Sequence, residues 1–144
     1  NPNHRNDRNR SLPLAAPEPL LDSDTHWVSL QKDVPDRDAA MLERLPLMRV
    51  GDELRDFTDT AALIEALDLV IAVDTSVAHL AGALGKLVWI LLPFSPDWRW
   101  LTDRDDSPWY PSARLFRQTT PGDWAGVVER VRTALSRDEL GRAP

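Results

Sequence analysis

Asp74-Thr75-Ser76, with His79 four residues after Thr75, is the group of polar side chains whose types and spacing best suit binding chemistry in this sequence. The triplet closes the apolar run Leu69-Val70-Ile71-Ala72-Val73 and precedes Val77-Ala78-His79-Leu80-Ala81-Gly82-Ala83-Leu84-Gly85. Five apolar residues without alternation read as a strand buried on both faces, and the triplet stops that strand and caps a helix. A strand passing straight into a helix leaves the first helical N–H groups pointing outward, with roughly half a positive charge behind them. That is a site for an anion such as a phosphate. His79 stands one helical turn above Thr75 on the same face, where its ring can lean toward the same anion. The same triplet would serve equally as a plain cap, and His79 as a packed helix histidine.

Ligands of open α/β sheets bind outside the carboxyl ends of the strands, so the residues just after each expected strand are the other candidates. They are the loop from His4 to Arg10, Gln31 and Lys32, Asp52 and Glu53, and the long loop from Pro93 to Tyr110. Neither GxGxxG nor GxxxxGK[ST] occurs, which removes the common dinucleotide and Walker fingerprints. Phosphate binding therefore rests on the Asp74-Thr75-Ser76 helix start, with Arg8 or Arg10 assisting across the site. Three of the six Trp residues, Trp98, Trp100 and Trp109, crowd into the long loop. No Asp or Glu pair has a metal-binding spacing, and three scattered His are not a zinc set.

The elements that must hold these residues alternate. His26–Gln31, Leu47–Val50, Leu69–Val73, Leu87–Leu92 and Ala113–Arg117 read as strands. Helical spacing runs over Asp36–Leu45, through Leu63, Ile64 and Leu67 after the caps of Asp56–Thr60, and through Trp124, Val127, Val128, Val131 and Leu135. Gly85 should end the helix after Ser76 in a left-handed conformation, and small residues including Gly82 should let that helix lie close on the sheet. The alternation predicts an α/β fold, a Rossmann-like doubly wound parallel sheet. Such a sheet carries its first strand in the middle, and the polar start of the sequence supplies no apolar run for it. The expectation is a fragment lacking its first strand, folded as one domain over 1–144, with residues 1–11 as a loop and a frayed tail over 137–144.

With 144 residues the chain is sized for one domain, and its net charge of −6 offers no basic field for nucleic acid. No apolar run approaches the roughly 20 residues of a membrane span. The absence of Cys fits a reducing cytoplasm.

Val73-Asp74-Thr75-Ser76-Val77-Ala78-His79-Leu80-Ala81-Gly82-Ala83-Leu84-Gly85-Lys86 resembles the nucleotide-sugar-binding motif of glycosyltransferase family 9, the heptosyltransferase-like enzymes. It is most similar to the bacterial branch in which the transferase follows tetratricopeptide repeats. The resemblance runs on through Pro96-Asp97-Trp98-Arg99-Trp100, Asp106-Ser107-Pro108-Trp109-Tyr110-Pro111 and Leu115-Phe116-Arg117-Gln118, and back to Arg8-Asn9-Arg10-Ser11. It implies the C-terminal half of a GT-B transferase, in which two Rossmann-like domains face each other. It further implies inverting, metal-independent transfer from an ADP- or UDP-linked sugar, without a cofactor. Asp74 would bond the donor sugar or orient the turn, and Thr75, Ser76 and Val77 would offer amides and hydroxyls to the diphosphate. Arg10 would face the phosphates, and Gln31 and Lys32 the nucleoside. From the residues themselves, Trp98 and Arg99 join the substrate-binding candidates, and the three loop Trp residues either stand beside the sugar or acceptor or simply cover the sheet edge and hold the loop down. The family's general base belongs to the N-terminal acceptor domain, so no residue of this chain is assigned a catalytic role. The rival expectation is a non-catalytic Rossmann-like interaction module, with Trp98 and Trp100 on its partner surface.

Overall fold

A computed structural model describes residues 11–21, 25–32 and 34–137 of the chain. Arg8, Arg10, the rest of the first ten residues and the tail beyond Arg137 lie outside the described residues. Parallel strands and helices alternate, as the apolar runs dictate: β1 (Val28–Ser29), α1 (Asp36–Leu42), β2 (Met48–Arg49), α2 (Phe57–Ala66), β3 (Val70–Val73), α3 (Ser76–Ala83), β4 (Val88–Leu92), β5 (Ala113–Arg117) and α4 (Trp124–Ser136).

The strands form two small parallel sheets instead of one sheet of five. In one, β1 pairs with β2; in the other the order is β3-β4-β5. The registers place Val28 opposite Met48, Val70 opposite Val88, and Val88 opposite Ala113. Among the described residues no strand pairs with the remaining edge of β1 or of β3, so nothing joins the sheets. β1 is also shorter than the run His26–Gln31 promises, because its ladder with β2 holds only two residue pairs.

The three-stranded sheet is covered on both sides, and its side chains alternate accordingly. Val70, Val88, Ile90, Leu92, Ala113 and Leu115 face one core with Ile64 of α2 and Ala78 and Ala81 of α3. Trp89, Leu91 and Phe116 face the other, with Trp124, Val127, Val128 and Val131 of α4. Every residue of β4 is buried, which is why its sequence shows no polar alternation. The short segment around Leu12, Ala16 and Leu20 packs on the α4 side. Among the described residues no helix is long and apolar enough to cross a membrane.

Local chemistry fixes the helix ends. At α2 the Asp56 carboxylate accepts the N–H groups of Thr58 (2.8 Å) and Asp59 (3.1 Å). At α4 Asp123 accepts from Gly126 N–H at 2.9 Å. α3 closes on Gly85 at φ 71°, with Lys86 N–H reaching back to Ala81 O (2.9 Å) and Gly85 N–H to Gly82 O (3.1 Å). These two bonds are the six-to-one and five-to-two pair of a left-handed helix stop.

Candidate anion-binding site

The turn from β3 into α3 places Asp74, Thr75, Ser76 and Val77 at the carboxyl end of a strand. Thr75 is the N-cap, in extended backbone, and its carbonyl accepts the first helical bond from His79 N–H at 3.3 Å. Its side chain makes no capping bond. The first-turn N–H groups of Ser76, Val77 and Ala78 have no acceptor within a helix by geometry, and the Thr75 hydroxyl, the group placed to take that of Val77 or Ala78, takes neither. Ser76 is exposed, whereas Asp74 is buried and Val77 turns its side chain into the core.

His79 is held from three directions. Nε2 lies 3.3 Å from Asp74 Oδ1, and Nδ1 lies 2.9 Å from the Tyr110 hydroxyl. The ring stacks on Trp100 at 5.4 Å between centroids and 21° between planes, and Tyr110 meets it edge-on at 5.7 Å. A neutral ring satisfies this arrangement when Nε2–H donates to Asp74 and the Tyr110 O–H donates to Nδ1; an imidazolium does so with Nδ1–H donating to Tyr110. Both ring nitrogens thus have protein partners. The ring turns toward Asp74 and Tyr110, and its link to the helix start runs through Asp74.

Tyr110 reaches this place because α3 carries a glycine there. A Cβ on Gly82 would stand 2.5 Å from Tyr110 Cγ. Gly82 therefore makes room for a loop side chain, while Ala78 and Ala81 supply the close approach to the sheet that small residues promise. Trp100 is fully buried, and its Nε1 has no partner among the described residues.

The loop that delivers Trp100 and Tyr110 is pinned by one side chain. Arg117, at the end of β5, donates to the carbonyls of Trp100, Leu101 (3.1 Å) and Arg104 (2.9 Å). Leu101 and Asp103 sit at φ 54° and 57°, conformations that side chains resist. Burial lowers the Arg117 pKa, Asp103 pulls it back up and Arg104 adds to the lowering. The guanidinium remains a cation throughout, because Arg does not lose its proton in proteins.

The other candidates fall in two further places. Gln31 and Lys32 line a cleft of about 250 Å³ with Ser29, Arg49, Gly51 and Asp52, at the carboxyl ends of β1 and β2. A Cβ on Gly51 would meet Gln31 O at 2.4 Å, so only glycine lets these two strand ends close together. Lys32 Nζ donates to Arg55 O at 3.2 Å. Trp98 lines a second cleft of about 590 Å³ with Phe94, Leu101 and Arg104. Trp98 is 73% exposed. Arg99 is turned toward Asp97, its Nε 3.2 Å from the carboxylate. Asp74, Thr75, Ser76, Val77 and His79 line neither cleft.

The structure thus gathers Asp74 to Val77 and His79, and adds Gly82 together with Trp100 and Tyr110, which the sequence offered only as members of the long aromatic loop; Trp100 is buried beside His79 and not on a partner surface. The signal for Tyr110 was its rarity, as the single Tyr of the chain, within a Pro-flanked aromatic cluster. The signal for Gly82 was a glycine inside a helical pattern. Among the described residues no group of three or more His, Cys, Asp or Glu is placed to hold a metal ion.

Fold and site together define a parallel α/β protein with a polar strand-to-helix junction backed by aromatic side chains. The chain is 41% identical over 80 residues to Protein FlbA of Caulobacter vibrioides, a match that takes in 56% of this chain and 13% of that one. It thus spans about 13% of the length of this curated relative. No protein-family model matches the chain, and no solved structure matches it.

Proposed function

We propose that this chain is the donor-binding half of an inverting GT-B glycosyltransferase of the heptosyltransferase-like kind, a Rossmann-like domain that seats a nucleoside-diphosphate sugar. The observation that carries the reading is the first turn of α3, which points its N–H groups out at the end of β3 while the Thr75 side chain leaves them uncapped. In the reaction the acceptor hydroxyl oxygen bonds to the anomeric carbon as the bond from that carbon to the diphosphate breaks. The electron pair leaves with the nucleoside diphosphate, and the acceptor proton passes to a base on the facing domain. The developing negative charge lies where the amides of Ser76 and Val77 and the hydroxyls of Thr75 and Ser76 are arranged to receive it. The buried Asp74, held through His79 against Tyr110 and Trp100, keeps the turn from relaxing onto its own N–H groups. Gln31 and Lys32 supply the nucleoside cleft, and Arg8 and Arg10 lie in the segment expected to approach the phosphates.

Calorimetric titration with ADP- and UDP-linked sugars tests the reading. Saturable binding that weakens at least about tenfold in the Thr75→Ala, Ser76→Ala double variant is the expected result, corresponding to two lost hydrogen bonds to a charged group. A folded sample that takes up neither nucleotide overturns it.

A second reading, a non-catalytic interaction module, draws on one observation: Phe94, Trp98 and Leu101 are all exposed around one cleft. Its mark would be indifference to nucleotides together with self-association or partner binding that Trp98→Ser abolishes, read by sedimentation.

A further inference from the structure

To brace His79 a bare ring would serve, and Tyr110 brings a hydroxyl as well. Its oxygen lies 2.9 Å from His79 Nδ1, while His79 Nε2 lies 3.3 Å from Asp74 Oδ1. A hydroxyl on a ring base, with a carboxylate orienting that base from its far nitrogen, is the arrangement by which proteins activate a weak nucleophile. The neutral tautomer fits it: Nε2–H donates to Asp74, and Nδ1 is placed to take the phenol proton. Trp100, fully buried, stacks on one face of the imidazole and keeps water from that side.

Tyr110 also points toward the anion-binding turn. A Cβ on Gly82 would stand 2.5 Å from its Cγ, and its hydroxyl ends at His79, nearer the start of α3. The ring thus lies along the helix with its oxygen toward the first turn, about one helical turn (~5.4 Å) from the Thr75 end. A diphosphate seated on those amides carries its sugar on the next atom, and a pyranose ring spans a gap of that size. Neither group is sealed off, since the His79 side chain is 31% exposed and Tyr110 is half-buried. Thr75 and Ser76 have hydroxyls closer to the helix start, but the two nitrogens of His79 face Asp74 and Tyr110, so Tyr110 is the hydroxyl with the base.

We propose that Tyr110 is a self-modification site, at which the chain accepts a glycosyl group from the nucleoside-diphosphate sugar seated on α3. The inference rests on the proposed function and adds an acceptor within the donor-binding domain itself. In the step, the Tyr110 oxygen bonds to the anomeric carbon as the bond from that carbon to the diphosphate oxygen breaks. The electron pair leaves with the nucleoside diphosphate. The phenol proton passes to His79 Nδ1, and the imidazolium so formed is held by Asp74. Each chain reacts once and ends as a tyrosine O-glycoside.

Intact-mass spectrometry of the folded 144-residue chain, incubated with UDP-glucose or ADP-glucose, tests this. A gain of a single glucosyl unit is expected, mapped to Tyr110 by fragmentation and matched by release of an equal amount of nucleoside diphosphate. Tyr110 is the single Tyr of the sequence, so the tyrosinate absorbance of the denatured chain in alkali should fall in step with the mass gain. At saturating donor, His79→Gln should slow the gain at least about 100-fold, the loss of a general base. A variant modified as fast as the parent overturns the inference, as does a gain mapped to a Ser or Thr residue. Saturable binding of either probe without a mass gain also overturns it and leaves the donor-binding reading standing. Nucleotide release without a mass gain does the same, since water is then the acceptor. A folded chain that binds neither probe overturns both. Should His79→Gln fail to fold, the parent chain decides by its mass gain at Tyr110 alone.

Discussion

The N-termini of α2 and α3 share one backbone geometry and differ in what fills them. At α2, Asp56 takes two of the first-turn N–H groups with its carboxylate, and Asp59 in the same turn pairs with Arg55 at 3.1 Å. At α3, Thr75 stands at the N-cap but its side chain makes no capping bond, and the neighbouring carboxylate, Asp74, lies 3.3 Å from His79. One end is closed by its own side chains and serves stability. The other has no side-chain cap from Thr75, and in the proposed function its first-turn donors receive the diphosphate. Asp at the N-cap of α2 and Thr at that of α3 are both good capping residues, so the difference lies in the tertiary partners and not in the residue types.

The largest effect should come from removing the aromatic support behind α3. Gly82→Ala puts a Cβ into the Tyr110 ring, and overpacking of this kind costs about 1–3 kcal/mol. Urea denaturation reads the loss, and the imidazole NMR signals of His79 should shift as Tyr110 leaves Nδ1. An unchanged denaturation midpoint would mean that the loop moves freely and that α3 is not braced as described.

Next in size is a crossed pair of substitutions that separates the two helix ends. Asp56→Ala should lower stability by about 1 kcal/mol and leave nucleotide-sugar affinity unchanged. Thr75→Ala should shift stability by less than about 0.5 kcal/mol and weaken that affinity. If both variants lose stability alike and neither alters binding, the contrast between the ends is empty.

The smallest effect concerns acid. The Asp59 carboxyl is held below its ordinary value of 3.8 by hydrogen bonds from the Arg55 side chain and backbone. A lowered carboxyl stabilises the fold above its unfolded value, and that contribution disappears as pH falls through the lower folded value. The urea midpoints of the parent chain and Asp59→Asn should therefore differ slightly near neutrality and converge as pH falls through the lowered folded value. Because the Arg55 side chain is 84% exposed, salt should shrink the difference.

Much of this arrangement can be read from residue order alone. The unbroken apolar runs of β3 and β4 announce strands covered on both faces, Gly85 announces the helix stop, and the period of Trp124, Val127, Val128 and Val131 announces α4. All are local signals, written within one element. The division into two sheets is not local, since it depends on which strand edges meet. Asp74–His79–Tyr110–Trp100 is equally non-local: 31 residues separate His79 from Tyr110, and nothing in either segment encodes the other's distance. The Trp cluster shows the same limit, for Trp100 is buried beside His79 while Trp98 faces solvent two residues earlier.

The most direct measurement is a backbone NMR titration of the chain with ADP- and UDP-linked sugars, following every assigned amide. The account predicts that the N–H signals of Ser76 and Val77 shift most and saturate together, with those of Thr58 and Asp59 unmoved. Saturable shifts that avoid the α3 first turn, or that fall equally on α2, would contradict it.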